Sequence, residues 1–239
     1  LALHPDFMNQ DSAYIYLFYS YNAGDAASPQ TKFKVKRVKW NHNSQLAETS
    51  DDLIINIPSG YDHIGGRMIA IKQNGKNYLL FSIGDHGLSE MNSPDCYTDQ
   101  SLNPNNFTQD PNYMNGKIHR YNLDGSIPDD NPISGNSFYT RGHRNPQGLM
   151  YNPHLEVLYD VEHGDRTDDE INVLYPGLNY GWKSVRGYHD GNFPGELDYV
   201  SEFVPNPSIP NDALVPAFYS WCDDITDTSS NNANWCTVA

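Results

Sequence analysis

A candidate general base stands in the segment YDHIGGR, where Asp62 and His63 precede Gly65 and Gly66. The paired glycines predict a sharp turn from which side chains project. A histidine there can act as a general base because its side chain titrates near neutral pH. The alternative is a structural histidine at a strand corner, and the residues alone leave both interpretations open.

A candidate stabiliser of negative charge lies in the segment GHRNPQGL, which contains Arg144 and Asn145. The guanidinium group offers a fixed fork of donors that suits a carboxylate or a developing oxyanion. Turn chemistry explains the Asn-Pro and Gln-Gly pairs of this segment, but it does not explain the His-Arg pair beside them.

Carboxylates crowd the segment EHGDRTDDEIN. Its acidic candidates after Gly164 are Asp165, Asp168, Asp169 and Glu170. Oxygen-rich loops of this kind suit Ca²⁺, although the spacing of a helix-loop-helix calcium motif is absent. The alternative is a solvated acidic turn, which chance can produce in a chain of net charge −15.

Cys222 and Cys236 lie in a polar, loop-like segment, and Cys96 stands apart. No histidine lies near them and CxxC spacing is absent, which argues against a zinc site. A Cys222–Cys236 disulfide is expected in an oxidising compartment, and three unpaired thiols are the alternative.

Short runs rich in β-branched and aromatic residues predict strands rather than helices. The predicted strands span residues 14–19, 33–40, 53–57, 77–83, 117–122 and 157–161. The alternation slips between Lys36 and Arg37, which predicts a bulge. Asn74-Gly75 predicts a two-residue hairpin.

A weak repeat begins near Leu3, Arg67 and Gly148, and in each unit an apolar strand leads through a turn to a strand rich in Tyr and Leu. Units of this size predict a β-propeller, and a sandwich or a two-domain all-β protein is the alternative. We expect one domain because no linker is visible.

Charge and hydropathy exclude two classes of partner. Lys and Arg number 15 against 30 Asp and Glu, so a basic face for nucleic acid is not expected. No apolar stretch approaches the roughly 20 residues of a membrane span. The chain opens without Met and stops directly after a Trp-Cys pair, so we expect a fragment of a longer protein.

Taken together and in this order, the segments resemble the soluble PQQ-dependent glucose dehydrogenases and aldose sugar dehydrogenases, a family of six-bladed β-propellers. The segments that carry the resemblance are LALHPDF, DHIGGR, SIGDHG, GKIHRYNLDGSIPDDNP, GHRNPQGL, DDEIN and NYGW. The resemblance implies an all-β fold in which residues 1–239 form a single propeller domain, truncated at both ends and covering roughly the central blades.

The resemblance also implies a reaction, in which the C1 hydroxyl of an aldose such as glucose is oxidised to the lactone and PQQ accepts the hydride. His63 matches the family's catalytic base, and Arg144 matches the arginine at the reactive quinone oxygen. Asp62 and Asn145 match residues that place the cofactor, and His163 puts a ring beside it.

The family's cofactor Ca²⁺ takes backbone carbonyls from a Gly-Pro pair, which is Gly164 and Asp165 here. The change from Pro to Asp need not abolish metal binding, because the ligands are carbonyls. A second, structural Ca²⁺ is an additional expectation for Asp168, Asp169 and Glu170. The family's Lys and Arg ligands for the PQQ carboxylates would lie beyond Ala239, so we expect this chain alone to bind PQQ poorly.

Two other functions compete with the dehydrogenase. A non-catalytic extracellular binding propeller predicts erosion at His63, Arg144 and Asn145, which this sequence does not have. A Ca²⁺-dependent lactonase would hold its metal on side-chain carboxylates and Asn. For the dehydrogenase we expect an external electron acceptor and a periplasmic or secreted location. The preferred sugar and the oligomeric state, including a homodimer, stay open.

Overall fold

The computed structural model describes residues 1–60, 62–87, 106–165 and 168–221. The regular secondary structure in these ranges is almost entirely strand. The exceptions are a 3₁₀ turn at Gln10–Ser12 and one short helix, α1, at Glu196–Glu202. No helix in these ranges is long and apolar enough to cross a membrane.

The strands form three antiparallel sheets of four strands each. The first comprises β1 (Ala2–Leu3), β2 (Tyr14–Asn22), β3 (Thr31–Asn41) and β4 (Leu46–Ile57). The second comprises β5 (Met68–Gln73), β6 (Lys76–Ile83), β7 (Lys117–Asn122) and β8 (Phe138–Arg141). The third comprises β9 (Pro146–Asn152), β10 (Val157–Glu162), β11 (Asp169–Leu174) and β12 (Tyr219–Trp221).

Each sheet is a meander in which consecutive strands pair. The sheets start at Ala2, Met68 and Pro146, close to the starts of the repeat units. These are blades of a β-propeller, so the all-β propeller prediction is confirmed. The described residues contain three of the six blades that the resemblance implies.

Strand β6 of the second blade carries a continuous apolar run, and both of its faces are buried. Leu79 and Phe81 pack into the core shared with the first blade. Tyr78 and Leu80 pack into the core shared with the third blade. Because both faces of β6 are covered, its apolar residues run on without the polar alternation of a half-exposed strand.

The structure has a tight hairpin and a bulge at or close to the positions where the sequence predicted them. Asn74 and Gly75 join β5 to β6 with φ angles of 49° and 75°, the positive pair that a tight hairpin requires. Strand β3 pairs with β2 without interruption through Lys36 and Arg37. Its register shifts against β4 instead, including one between Val35 and Lys36. The bulge therefore belongs to the β3–β4 pair and lies one residue earlier than predicted.

The meander places five connections at one end of the molecule. Because neighbouring strands run in opposite directions, the link between the second and third strands and the link to the next blade share an end. These are residues 23–30, 58–67, 84–116, 142–145 and 163–168. Most of the candidate site residues lie on them; Asp169 and Glu170 open β11 directly after the last link.

Candidate active site

His63 is held by a carboxylate from another blade connection. Its Nδ1 lies 2.7 Å from Oδ1 of Asp85, and the His63 side chain is 11% exposed. Because a carboxylate only accepts hydrogen bonds, Nδ1 carries a proton and Nε2 is the basic nitrogen of the neutral ring. The partner is therefore Asp85 and not the adjacent Asp62.

Asp85 is fully buried and accepts hydrogen bonds at both carboxylate oxygens. Oδ1 also accepts the backbone N–H of Gly87 (2.8 Å). Oδ2 accepts from Asn106 Nδ2 (3.1 Å) and from Trp182 Nε1 (2.6 Å). These donors fix the carboxylate that orients the candidate base. Asp85 was not among the predicted site residues, although it stands in the segment SIGDHG, which carries part of the resemblance.

Asp62 is exposed and lies against the same connection. A Cβ placed on Gly87 would overlap the Asp62 carboxylate. Gly87 has a φ of 59°, a backbone conformation that favours glycine. The close approach of Asp62 therefore depends on a glycine two residues after Asp85.

Arg144 is buried, 4% exposed, and its side chain reaches the third blade. Its Nη1 donates to the carbonyl oxygen of His163 (2.9 Å). Its Nη2 lies 3.7 Å from Oδ1 of Asp165. Burial lowers the pKa of Arg144, and the carboxylates of Asp85 and Asp165 oppose this shift. The structure thus brings Arg144, His163 and Asp165 together.

Asn145 joins the connections that carry the base and the arginine. Its side-chain Oδ1 accepts from the backbone N–H of Gly65 (3.4 Å), and its carbonyl accepts from the N–H of His163 (3.2 Å). His163 itself is half-exposed, with 54% of its side chain accessible.

A buried carboxylate holds the loop that carries Arg144. Glu162 accepts the backbone N–H of Arg144 at one oxygen and His143 Nδ1 (2.9 Å) at the other. Asp160 Oδ2 lies 3.2 Å from the same ring nitrogen. Burial opposes protonation of His143, but Asp160 and Glu162 outweigh it and raise the pKa of His143 to about 10. The imidazolium is the positive partner of this cluster.

The predicted cofactor-calcium position has suitable oxygen chemistry. The carbonyl of Gly164 accepts from His163 Nδ1 (2.5 Å), and the Gly164 N–H donates to Asp169 Oδ1 (2.8 Å). The Asp165 carboxylate binds Arg186 Nη2 at 2.8 Å. Carbonyl and carboxylate oxygens are the ligands that Ca²⁺ prefers, so these residues fit the ion. The extra carboxylate is already occupied by arginine.

The carboxylates of Asp168, Asp169 and Glu170 do not converge. Asp168 accepts from Ser220 Oγ (2.9 Å), and Glu170 accepts from the backbone N–H of Gly187 (2.7 Å). In the described ranges, the group that could hold a metal with three His or acidic side chains is His143, Asp160 and Glu162. Asp168 and Glu170 both lie near Gly187, whereas Asp169 Oδ1 accepts from the N–H of Gly164, so the three carboxylates do not form one group and the structural calcium site stays a prediction.

The predicted disulfide between Cys222 and Cys236 lies outside the described residues. Cys96 lies outside them as well, so the expectation about the thiols stays a prediction.

Known proteins are similar to this chain over most of its length. The chain is 39% identical over 202 residues to quinoprotein glucose dehydrogenase B of Acinetobacter calcoaceticus, which covers 79% of this chain and 40% of that protein. It is similar to the apo crystal structure of a soluble aldose sugar dehydrogenase from Escherichia coli, with a TM-score of 0.62 and 27% identity, over 92% of this chain and 56% of that one.

The PQQ-bound aldose sugar dehydrogenase of Streptomyces coelicolor is also similar, with a TM-score of 0.58 and 27% identity. That match covers 77% of this chain and 47% of the other. The chain thus spans between 40% and 56% of the length of these three relatives. The glucose/sorbosone dehydrogenase family model matches residues 1–205. The chain therefore belongs to the glucose/sorbosone dehydrogenase family.

Proposed function

We propose that the protein carrying this chain is a quinoprotein dehydrogenase that oxidises the C1 hydroxyl of an aldose to the lactone. One observation carries the proposal: His63, oriented by Asp85, and Arg144 lie on connections at the same end of adjacent blades. The names of the family relatives, which include a glucose dehydrogenase and aldose sugar dehydrogenases, support the substrate class.

His63 is the base in this proposal. Its Nδ1–H is bound to Asp85, so Nε2 is available to take the proton of the sugar's C1 hydroxyl. Asp85 keeps the ring in this tautomer and stabilises the imidazolium that forms, which is the role of the orienting acid in other histidine dyads. Both groups are largely withdrawn from water, which strengthens their interaction.

Arg144 supplies positive charge where an oxygen gains negative charge. Its guanidinium is held by the His163 carbonyl and faces Asp165, so it is already oriented before the reaction. Asn145 would bind the cofactor beside it, and the carbonyls of Gly164 and Asp165 would hold Ca²⁺. PQQ bound there would supply the hydride acceptor.

Reconstitution tests the proposal directly. The protein carrying this chain is incubated with PQQ and Ca²⁺, given glucose or another aldose, and followed by reduction of an artificial electron acceptor. We expect dye reduction that requires both additions. Parallel samples receive Mg²⁺ with a calcium chelator, or no PQQ. Absence of turnover in a protein that keeps neither PQQ nor its absorbance after desalting would contradict the proposal and favour the binding propeller.

We further propose a periplasmic or secreted location, an external electron acceptor and a disulfide between Cys222 and Cys236. The acidic composition and the cysteine pair support this location. Mass spectrometry of the native protein under non-reducing conditions tests it through the linked peptide. Free thiols at both positions in protein isolated from its own cells would argue against an oxidising compartment.

A further inference from the structure

Trp182 lies between the His63–Asp85 pair and Arg144 in the candidate active site. It is 4% exposed and belongs to the long connection between β11 and β12. Its N–H donates to the carbonyl of Gly142 (2.9 Å), and its own carbonyl accepts from Thr108 Oγ1 (2.7 Å) and Gln109 Nε2 (2.8 Å). The backbone of Trp182 is therefore anchored to two of the connections that carry the site.

The indole N–H of Trp182 points at the carboxylate that orients the base. It donates to Oδ2 of Asp85 at 2.6 Å, while Oδ1 of the same group binds His63 at 2.7 Å. Hydrogen bonds to an ionised acceptor are short and about twice as strong as neutral ones. Because Asp85 is fully buried, water cannot replace a lost donor without opening the site.

The face of the indole ring lies beside two arginines of the site. The guanidinium carbons of Arg144 and Arg186 each lie 5.6 Å from the Trp182 ring centroid. Cations at this distance are attracted by the face of an aromatic ring. Arg186 also binds Asp165, which faces Arg144. One side chain thus contacts both the base's orienting acid and the arginine pair.

We propose that Trp182 is a positioning residue for the reaction, whose N–H fixes the Asp85–His63 pair and whose ring supports Arg144. This inference rests on the proposed function. Trp182 acts through its neighbours, so its loss should weaken the chemical step more than sugar binding. The two contributions are separable, since Phe keeps a ring without the N–H and Leu removes both.

The first test compares Trp182→Phe with the parent in steady-state sugar oxidation. We expect kcat to fall about 10-fold, which corresponds to about one charge-assisted hydrogen bond, with the sugar KM within about twofold. The kcat of Trp182→Leu should fall further, because this substitution also removes the aromatic ring beside Arg144 and Arg186. The matched control is Trp40→Phe on β3 of the first blade, which should leave kcat unchanged. Parental kcat in Trp182→Phe would overturn the proposal.

The second test needs no turnover and so separates this inference from the proposed function. NMR hydrogen exchange in the unsubstituted protein should show a Trp182 indole N–H protected far more strongly than that of Trp40. In Trp182→Phe, the Nδ1 proton of His63 should exchange at least about 10-fold faster, because Asp85 has lost a fixed donor. Rapid exchange of the Trp182 indole, or an unchanged His63 proton in a folded variant, would overturn the proposal.

If the parent lacks PQQ-dependent turnover while both exchange results hold, the proposed function fails and the positioning of His63 by Trp182 stands. If turnover is present and the exchange results fail, the positioning role is wrong and the function stands.

Discussion

At the residue scale, His63 is the side chain on which the proposed chemistry depends most. His63→Ala should abolish turnover because it removes the ring nitrogen that would take the proton of the C1 hydroxyl. PQQ binding should be largely retained, and absorbance after desalting measures it. His42→Ala is the matched control, since His42 Nε2 lies 2.9 Å from the Phe7 carbonyl on the first blade, away from the site. Equal loss of turnover and PQQ binding would contradict a role as base.

Arg144 carries the second prediction at this scale. Arg144→Ala should lower kcat by about 10²-fold or more, the effect of losing one donor to a developing negative charge. Arg144→Lys keeps the charge but loses the planar fork, so an intermediate rate is expected. Arg37→Ala, which removes the ion pair with Asp51 and the contact with the Tyr14 ring in the first blade, provides the control. Near-normal turnover in Arg144→Ala would remove this residue from the mechanism.

The sequence predicted some of these residues and not others, for a physical reason. Turn chemistry does not account for Arg144 in its segment, and the role of His63 follows from the resemblance of its segment to the family. Asp85, Asn106 and Trp182 meet only in the folded chain, and Trp182 lies 97 residues from its acceptor. Their contact depends on how the blade connections pack, which no local pattern expresses.

At the element scale, strand positions were predictable because apolar and β-branched runs mark them directly. The predicted segment 117–122 coincides with β7, and the other predicted strands lie inside longer observed ones. Extensions such as the first half of β4 were missed because that half is exposed and polar. Pairing with β3, rather than hydrophobic pattern, makes it a strand.

Gly84 provides the element-scale prediction, because three connections converge on it. A Cβ there would overlap the His63 carbonyl and lie 2.9 Å from the carbonyl of Arg144. Gly84→Ala should destabilise the fold by roughly 2 kcal/mol and reduce turnover, since backbone rather than a flexible side chain must move. Denaturant unfolding and sugar oxidation measure the two effects.

Gly135→Ala is the control for Gly84→Ala. Its φ of 74° carries conformational strain, but no atom lies within 4 Å of the added Cβ. We expect a loss of about 1 kcal/mol with unchanged turnover. Equal effects of the two substitutions on turnover would show that the contacts of Gly84 do not position the site.

At the scale of the whole molecule, the second and third blades meet through both apolar and charged groups. Leu80 and Ile118 of the second blade share a core with Leu158 of the third. Close by, Thr140 on β8 contacts His143 Nε2 (2.9 Å), whose other ring nitrogen faces the carboxylates on β10. The protonated His143 therefore links two blades across a buried boundary.

This link predicts how stability depends on pH. The pKa of His143 rises from 6.5 to about 10 on folding, so the native state holds the proton more tightly than the unfolded chain. Its stabilisation is therefore complete below pH 6.5 and is lost as pH rises towards about 10. The pKa of Glu170 is also raised well above its ordinary value, mainly by burial and then by the neighbouring Glu162. This shift likewise makes the folded state less stable as the pH rises.

Thermal unfolding of the parent and of His143→Gln across this pH range measures the effect. The difference in Tm between the two proteins should be largest near pH 6 and shrink steadily towards pH 10, because the parent loses the His143 proton over this range and the variant has no imidazole at this position. Comparing the two proteins at each pH cancels the general repulsion in a chain of net charge −15. His154→Gln, an exposed position in the β9–β10 turn, supplies the matched histidine control. A Tm difference that stays constant with pH would mean that His143 joins the blades by packing against Tyr180 rather than by its charge.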